Sequence, residues 1–270
     1  VEVKNIATKS PNISTKHINS KYMEGGANAI AKHVNNFVNL VYNATPINIE
    51  IIKLRYLASN YRNIKLFETC IYPNEKQLEE ARKETLEYIK KNINEVDLIL
   101  IADFGHGIIS REIVNECFKS KKFVAMNVQT NSANFGFNYI TKYKFFNFAT
   151  LDEKELRLPF SDSTSSIDYL VNKLKLMTNC NKFLVTLGEA GLNYYELNNE
   201  QKKYNAISFE NNVVDTLGAG DAAFSIASLL AYVNCPGDLL AFISNCAGGL
   251  DTKIVGNENY ITYPNIYNYI

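Results

Sequence analysis

The sequence has no surplus of either charge: 28 Lys+Arg stand against 28 Asp+Glu over 270 residues. Without a basic excess there is no global field to draw in nucleic acid or an anionic membrane. No apolar run approaches the ~20 residues needed to cross a bilayer, and no secretory leader is expected. The five cysteines (Cys70, Cys117, Cys180, Cys235 and Cys246) are odd in number, scattered, and form no C-x-x-C pair. That pattern argues against a disulfide framework or a zinc site and for reduced thiols in the cytoplasm. His17 and His33 lie in no motif and read as surface or core residues. There is no internal repeat, no low-complexity tract and no interdomain linker. The first residue is Val1, as expected of a processed, tagged or truncated segment.

What is present is a chain with 46% hydrophobic residues, enough to bury a sizeable core. One α/β domain over residues 1–270 is the expectation. Ala27–Val41 reads as a helix with Ala31, Val34, Phe37 and Val38 on one side. Ile49–Ala58 and Ile64–Cys70 are β-rich runs flanking Ser59–Asn63, a hairpin. Asn74–Asn92 is a charged amphipathic helix. Asp97–Ala102 is a short strand, wholly apolar after Asp97, of the kind buried in parallel sheets. A helix from Ser110, strands at 123–128, 146–151, 182–187 and 192–196, and helices at 165–177, 222–233 and 238–250 complete the pattern. Strands alternating with helices predict a mainly parallel sheet covered on both faces.

The most informative stretch is Asp215-Thr216-Leu217-Gly218-Ala219-Gly220-Asp221, followed by a helix-forming run. Two glycines around a small residue place bare amides at a helix N-terminus, where unpaired N–H groups and the helix dipole attract an anion. Asp221 falls in the first turn beside that anion and suits proton abstraction from an attacking hydroxyl. The competing reading is a tight turn with Asp221 as a cap.

This stretch resembles the C-terminal signature of the ribokinase-like (PfkB) family of sugar and nucleoside kinases. Gly25-Gly26-Ala27-Asn28 is similar to the family's first sugar-binding motif, and Thr186-Leu187-Gly188-Glu189-Ala190-Gly191 to its T-x-G-x-x-G segment. The three occur in the family's order and span most of the chain. The resemblance implies a three-layer α/β sandwich with a small β-lid, here the hairpin at 49–71. It implies ATP and Mg²⁺, with Asp221 as the base and Gly218, Ala219 and Gly220 stabilising the transferred phosphoryl group. Thr186, Gly188, Gly191 and Asn245 would line the nucleotide site.

On the acceptor side the resemblance points to Gly25, Gly26 and Asn28. The loop Asp103-Phe104-Gly105-His106-Gly107 resembles the D-Y-x-K-G loop of the heptose-phosphate branch, with His106 where lysine is common. Asp103 would hold a sugar hydroxyl or a phosphate-bound cation; otherwise it forms a turn. Lys53 and Arg55 resemble that branch's K-x-R and would clamp a sugar phosphate, or stand as exposed hairpin charges. Asp152 and Glu155 fall where the family has N-x-x-E, which helps order magnesium; Asp152 replaces the asparagine, and its alternative role is a helix cap. The polar loop 127–134 presents amide donors to a ligand or is simply solvated.

The chain departs from the family in two ways. Only a short stretch precedes Gly25, and one helix stands between Asn28 and Lys53 where relatives carry further β-α units. The expectation is therefore a sugar side that is trimmed or supplied by missing residues, beside an intact nucleotide side. Some bifunctional relatives join this fold to a nucleotidyltransferase, so a fused or partner transferase is a further expectation, as is a homodimer through the lid. The function implied is transfer of phosphate to a sugar or sugar phosphate such as heptose 7-phosphate. Ribose, fructose or a nucleoside is the second choice, and a non-catalytic nucleotide- or sugar-phosphate-binding module the reading from a different class.

Overall fold

The computed structural model describes residues 1–6, 13–61, 64–131, 134–210 and 212–270, the side chains of 4–6 excepted. The chain opens with β1 (Glu2–Ile6) paired antiparallel to β2 (Ile13–Lys16), then α1 (Ala27–Asn35). An antiparallel hairpin of β3 (Ile52–Ala58) and β4 (Ile64–Ile71) leads into α2 (Glu75–Asn92). Next come β5 (Leu98–Asp103), α3 (Arg111–Lys119), β6 (Phe123–Val128), β7 (Phe148–Asp152), α4 (Glu153–Arg157) and α5 (Ile167–Met177). They are followed by β8 (Lys182–Thr186), β9 (Leu192–Leu197), β10 (Gln201–Ala206), α6 (Ala219–Tyr232), α7 (Gly237–Asp251) and α8 (Tyr263–Tyr269).

The central sheet has the order β10-β9-β8-β7-β6-β5. Strands β5 to β8 are parallel and β9 and β10 turn back antiparallel. The alternation of side chains along a strand explains the layers. From β6, Val124, Met126 and Val128 join a core with Ile113 of α3 and Leu170 of α5, while Ala125 faces the other way. On that second face Phe148, Leu184 and Tyr194 pack with Ile30 of α1, Phe224 of α6 and Leu240 of α7. The result is the three-layer, ribokinase-like α/β sandwich expected. Each large side chain fully buried this way stabilises the fold by roughly 1.5–3 kcal/mol.

Helix starts follow their capping chemistry. Asn74 and Gln77 form a capping box on α2, and Ser110 and Ser166 cap α3 and α5, each satisfying otherwise orphaned N–H groups. Helix α1 stops at Asn35, six residues short of the expected Val41. Asn36 ends it by turning its amide back onto Lys32 O and across to Ile261 O, at 3.0 and 3.1 Å, and Phe37-Val38 beyond it is poor helix material. Strand β3 begins at Ile52 rather than Ile49. The hairpin turn is a 3-10 turn over Ser59–Tyr61; Arg62 and Asn63 lie outside the described residues.

One expectation is corrected. The apolar strand now seen as β5 is not buried on both faces but forms the sheet's edge, and Leu98, Ile99 and Leu100 are only half-buried. The helix-to-hairpin connection at 36–51 forms no strand beside it. Among the described residues the cysteines are free and no helix is long and apolar enough to cross a membrane.

Candidate active site

A cleft of about 1810 Å³ runs past the carboxyl ends of β5 to β8, the position where open α/β sheets collect ligands. Its lining includes Gly218, Gly220 and Asp221, the hairpin residues Lys53 and Arg55, and Gly25, Gly26 and Asn28. Asp103, Asp152, Glu155 and Thr186 also reach it. The fold thus brings together residues from both ends of the chain.

The floor is the start of α6. Gly218 is its N-cap at φ 95°, a left-handed conformation that only glycine adopts readily, and no side chain caps the helix. Gly220 opens on empty space, since a Cβ there would meet nothing within 4 Å. The first-turn amides are therefore open to an anion. Asp221 does not cap; its Oδ1 accepts a 2.7 Å hydrogen bond from Gln129 Nε2. Burial pushes its carboxyl up to about 7, against the pull of the Gln129 amide and the Lys53 ammonium. A carboxylate poised near neutrality, with a positive charge in reach, suits general-base work.

Asn257 ties the two glycine motifs together. Its Nδ2 donates to Glu24 O at 2.8 Å, beside Gly25, and its Oδ1 lies 2.9 Å from where a Gly218 Cβ would stand. Gly26, at φ 55°, lets the start of α1 pass over the Phe104 ring. Asn28 Oδ1 accepts from Asn43 Nδ2 at 2.8 Å.

Asp152 and Glu155 lie one turn apart at the start of α4 in a reciprocal capping box. Asp152 Oδ1 accepts from Glu155 N at 2.6 Å, and Glu155 Oε2 from Asp152 N at 3.0 Å. Glu155 Oε1 accepts from Thr130 N at 3.0 Å. Burial, then the Asp152 charge, holds the Glu155 carboxyl well above the usual range, with Asp221 adding to it. A buried Glu155 carboxyl beside the exposed carboxyl of Asp152 is a donor pair that a hard divalent cation would relieve, so the residues fit Mg²⁺ reached in part through water.

The acceptor wall is less committed. Lys53 and Arg55 stand two residues apart on one face of β3, but Arg55 Nε is held by Glu68 Oε2 at 2.8 Å across the hairpin. Asp103, 2% exposed, accepts from Gly105 N and the Tyr143 hydroxyl, both at 2.9 Å, and pairs with Lys142. Its carboxylate already serves its own loop. Burial, then the Lys53 charge, pushes His106 down to about 4, leaving a neutral ring whose buried Nε2 lacks a partner among the described residues.

Thr186 ends β8 at the cleft, whereas Gly191 and Asn245 meet around Ala206–Ser208, and Gly188 O accepts from Gly191 N at 3.0 Å. A Cβ on Gly191 would stand 2.0 Å from Ala206 O, and Asn245 Nδ2 donates to Ile207 O at 2.8 Å. In the polar loop 127–134 the Asn131 and Asn134 amides donate to Phe104 O at 2.7 and 2.8 Å, bracing the neighbouring loop, while Asn127, Gln129, Thr130 and Asn131 also line the cleft. Ser132 and Ala133 lie outside the described residues. Gln129 is the loop member that reaches Asp221, and no sequence spacing marks it; its partner is 92 residues away.

The pfkB family carbohydrate kinase model matches residues 63–232. The chain belongs to the pfkB family of carbohydrate kinases. This pfkB-family chain is 25% identical over 182 residues to the bifunctional protein HldE of Desulfatibacillum aliphaticivorans, covering 66% of the chain and 36% of that protein. Against the bifunctional protein HldE of Aliarcobacter butzleri (strain RM4018) it is 26% identical over 197 residues, covering 71% and 39%. It thus spans under two fifths of the length of these curated relatives. In fold it is similar to phosphofructokinase-2 from Escherichia coli, with a TM-score of 0.60 at 12% identity, covering 80% of this chain and 69% of that one. Ribokinase from Thermotoga maritima gives 0.58 at 15%, covering 82% and 70%.

Proposed function

We propose that this chain transfers the γ-phosphate of ATP to a hydroxyl of a sugar or sugar phosphate, with a heptose 7-phosphate-like acceptor first in line. The observation that carries the reading is Asp221, poised near neutrality beside the uncapped amides of α6, with Lys53 in its field. Asp221 would take the proton of the attacking hydroxyl while the amides of Gly218, Ala219 and Gly220 receive charge from the transferred group. Gln129 orients the carboxylate. Glu155 and Asp152 would hold magnesium, which neutralises phosphate charge when bound. Thr186, Gly188, Gly191 and Asn245 would border the nucleotide. Gly25, Gly26, Asn28 and Asp103 would face the acceptor.

The acceptor's own phosphate falls to Lys53 and Arg55, because a neutral His106 supplies a hydrogen bond and no charge. The hairpin bearing these two residues would close over the acceptor as a lid, and it is also the surface on which two copies would pair. The match to two bifunctional proteins supports action joined to, or alongside, a nucleotidyltransferase unit. Non-catalytic nucleotide binding is favoured by one observation, the half-open acceptor wall along β5.

The test is ADP formation with Mg·ATP over heptose 7-phosphate, hexose phosphates, ribose and adenosine. Turnover dependent on a sugar phosphate supports the first choice; preference for an unphosphorylated sugar or nucleoside moves the acceptor class. Nucleotide binding with no acceptor-dependent turnover selects the non-catalytic reading.

A further inference from the structure

Three carboxyls surround the amides at the start of α6, and they are held very differently. Asp215 accepts from Leu217 N at 3.0 Å and Gly256 N at 2.9 Å. Asp221 accepts from Gln129 Nε2. Asp251 accepts from nothing: it is 0% exposed, and neither oxygen has a hydrogen-bond partner among the described residues. It presses against the anion loop from behind, since a Cβ on Gly218 would come within 2.6 Å of its Oδ2. It is also the last residue of α7, where the negative end of the helix dipole disfavours another negative charge.

The group opposite it is His33 of α1, 1% exposed, whose Nε2 lies 3.8 Å from Asp251 Oδ1. His33 Nδ1 accepts from Ile261 N at 3.0 Å, so the neutral ring carries its proton on Nε2, facing Asp251. The charged and titratable groups facing Asp251 are therefore His33 from α1, Asp221 from α6 and Asp215 from the loop before it. Two are carboxylates, and the third is pushed by burial to about 4, which leaves it neutral.

We propose that Asp251 is an anion-linked positioning residue: when a phosphate group settles on the α6 amides, Asp251 takes a proton from solvent and becomes neutral beneath it. One O–H bond forms on the Asp251 carboxyl, and the proton comes from bulk water at the ambient pH. The device keeps the proton off Asp221, which must stay ionised to act as a base. Burial and the Asp221 and Asp215 charges already hold Asp251 up to about 7 without any ligand, and an added anion 's field acts in the same direction. The inference rests on the phosphate-binding reading of this loop given above.

Calorimetric titration with Mg·ATP, acceptor omitted, tests it between pH 6 and 8.5 in buffers of different ionisation enthalpy. Near pH 7.5 the wild type should take up a fraction of a proton per nucleotide bound. Its affinity should fall toward higher pH by up to about tenfold, the equivalent of one pK unit of coupling. Asp251→Asn should bind as tightly as the wild type does at pH 6, with a flattened pH course and the extra uptake gone. Proton uptake and pH course identical in wild type and Asp251→Asn overturn the proposal while leaving the kinase reading standing. A wild type that binds no Mg·ATP at any pH overturns both. Should the variant fail to fold, infrared titration of the buried carboxyl in the wild type decides: a rise of its pKa on adding nucleotide supports the proposal, and an unmoved carboxyl sinks it. A merely structural role for Asp251 would alter thermal stability and leave proton uptake untouched.

Discussion

On the side of the cleft built from β7–β10, α6 and α7, large side chains such as Phe148, Tyr194 and Phe224 are wholly buried. Strands β6 to β9 beneath α6 and α7 place buried side chains in the cores on both faces of the sheet, while β10 is an exposed edge. On the side built from β5, α1 and the β3–β4 hairpin, Phe67 is 52% exposed and Ile47 88%, and the edge strand β5 is half-open. The difference matches what the proposed phosphate transfer would ask of each side. Holding a phosphate on bare amides requires a helix terminus that does not move, so the helix behind it must be locked in a core. Holding an acceptor requires room for entry, and the hairpin contributes charge from an element anchored mainly to itself. An apolar strand left at a sheet edge is also a place where a further strand can add.

Breaking the locked side should have the largest effect. Asp221→Asn is expected to lose about 10²–10⁴-fold in turnover while Mg·ATP binding, measured by titration calorimetry, persists; undiminished turnover would remove Asp221 from the mechanism. Next is Glu155→Gln, expected to raise the magnesium concentration for half-maximal activity by about 10- to 100-fold. A magnesium curve that coincides with the wild type's would detach Glu155 from the metal.

The open side should respond more gently and in a different parameter. Lys53→Met is expected to raise the acceptor KM by about tenfold, the loss of one partly solvated charge contact, with the KM for ATP nearly unchanged. A matching rise in both would blur the distinction between the two sides. Removing Lys53 should also raise the Asp221 carboxyl further, moving the acid limb of the rate profile to higher pH.

The smallest effect is on stability. Asp221, Asp251 and Glu155 are all held above their ordinary values, so the folded chain binds more protons than the unfolded one. Their contribution is complete below about pH 4 and is lost as pH rises through about 7. His33 and His106, held down to about 4, oppose this below about 6.5, where the unfolded chain protonates them. Between about pH 6.5 and 8 the carboxyls act alone, and the melting temperature should fall; a flat or rising curve there would contradict their burial.

Much of this was legible in residues close together in sequence. Strands alternating with helices predicted a mainly parallel sheet covered on both faces, because side-chain period is local physics. Gly218, Gly220 and Asp221 pointed to an uncapped helix start because a helix N-terminus is assembled from consecutive residues. Less legible were β10, whose Gln201-Lys202-Lys203 start is exposed and polar, and α8, a Tyr- and Asn-rich helix begun by a Thr262/Asn265 capping box. The motif glycines also divided: Gly191 is required by the close passage of Ala206 O, which no spacing foretells.

By itself, then, the sequence determined the family, the strand–helix alternation and the uncapped helix start at Gly218, since each depends on neighbours a few residues apart. Only the tertiary structure decided that Gln129 holds Asp221, that Asn257 joins the two glycine turns, and that His33 faces Asp251. It also decided that β5 is an edge. These are pairings across tens to hundreds of residues, fixed by how the layers close around the sheet, and no local pattern encodes them.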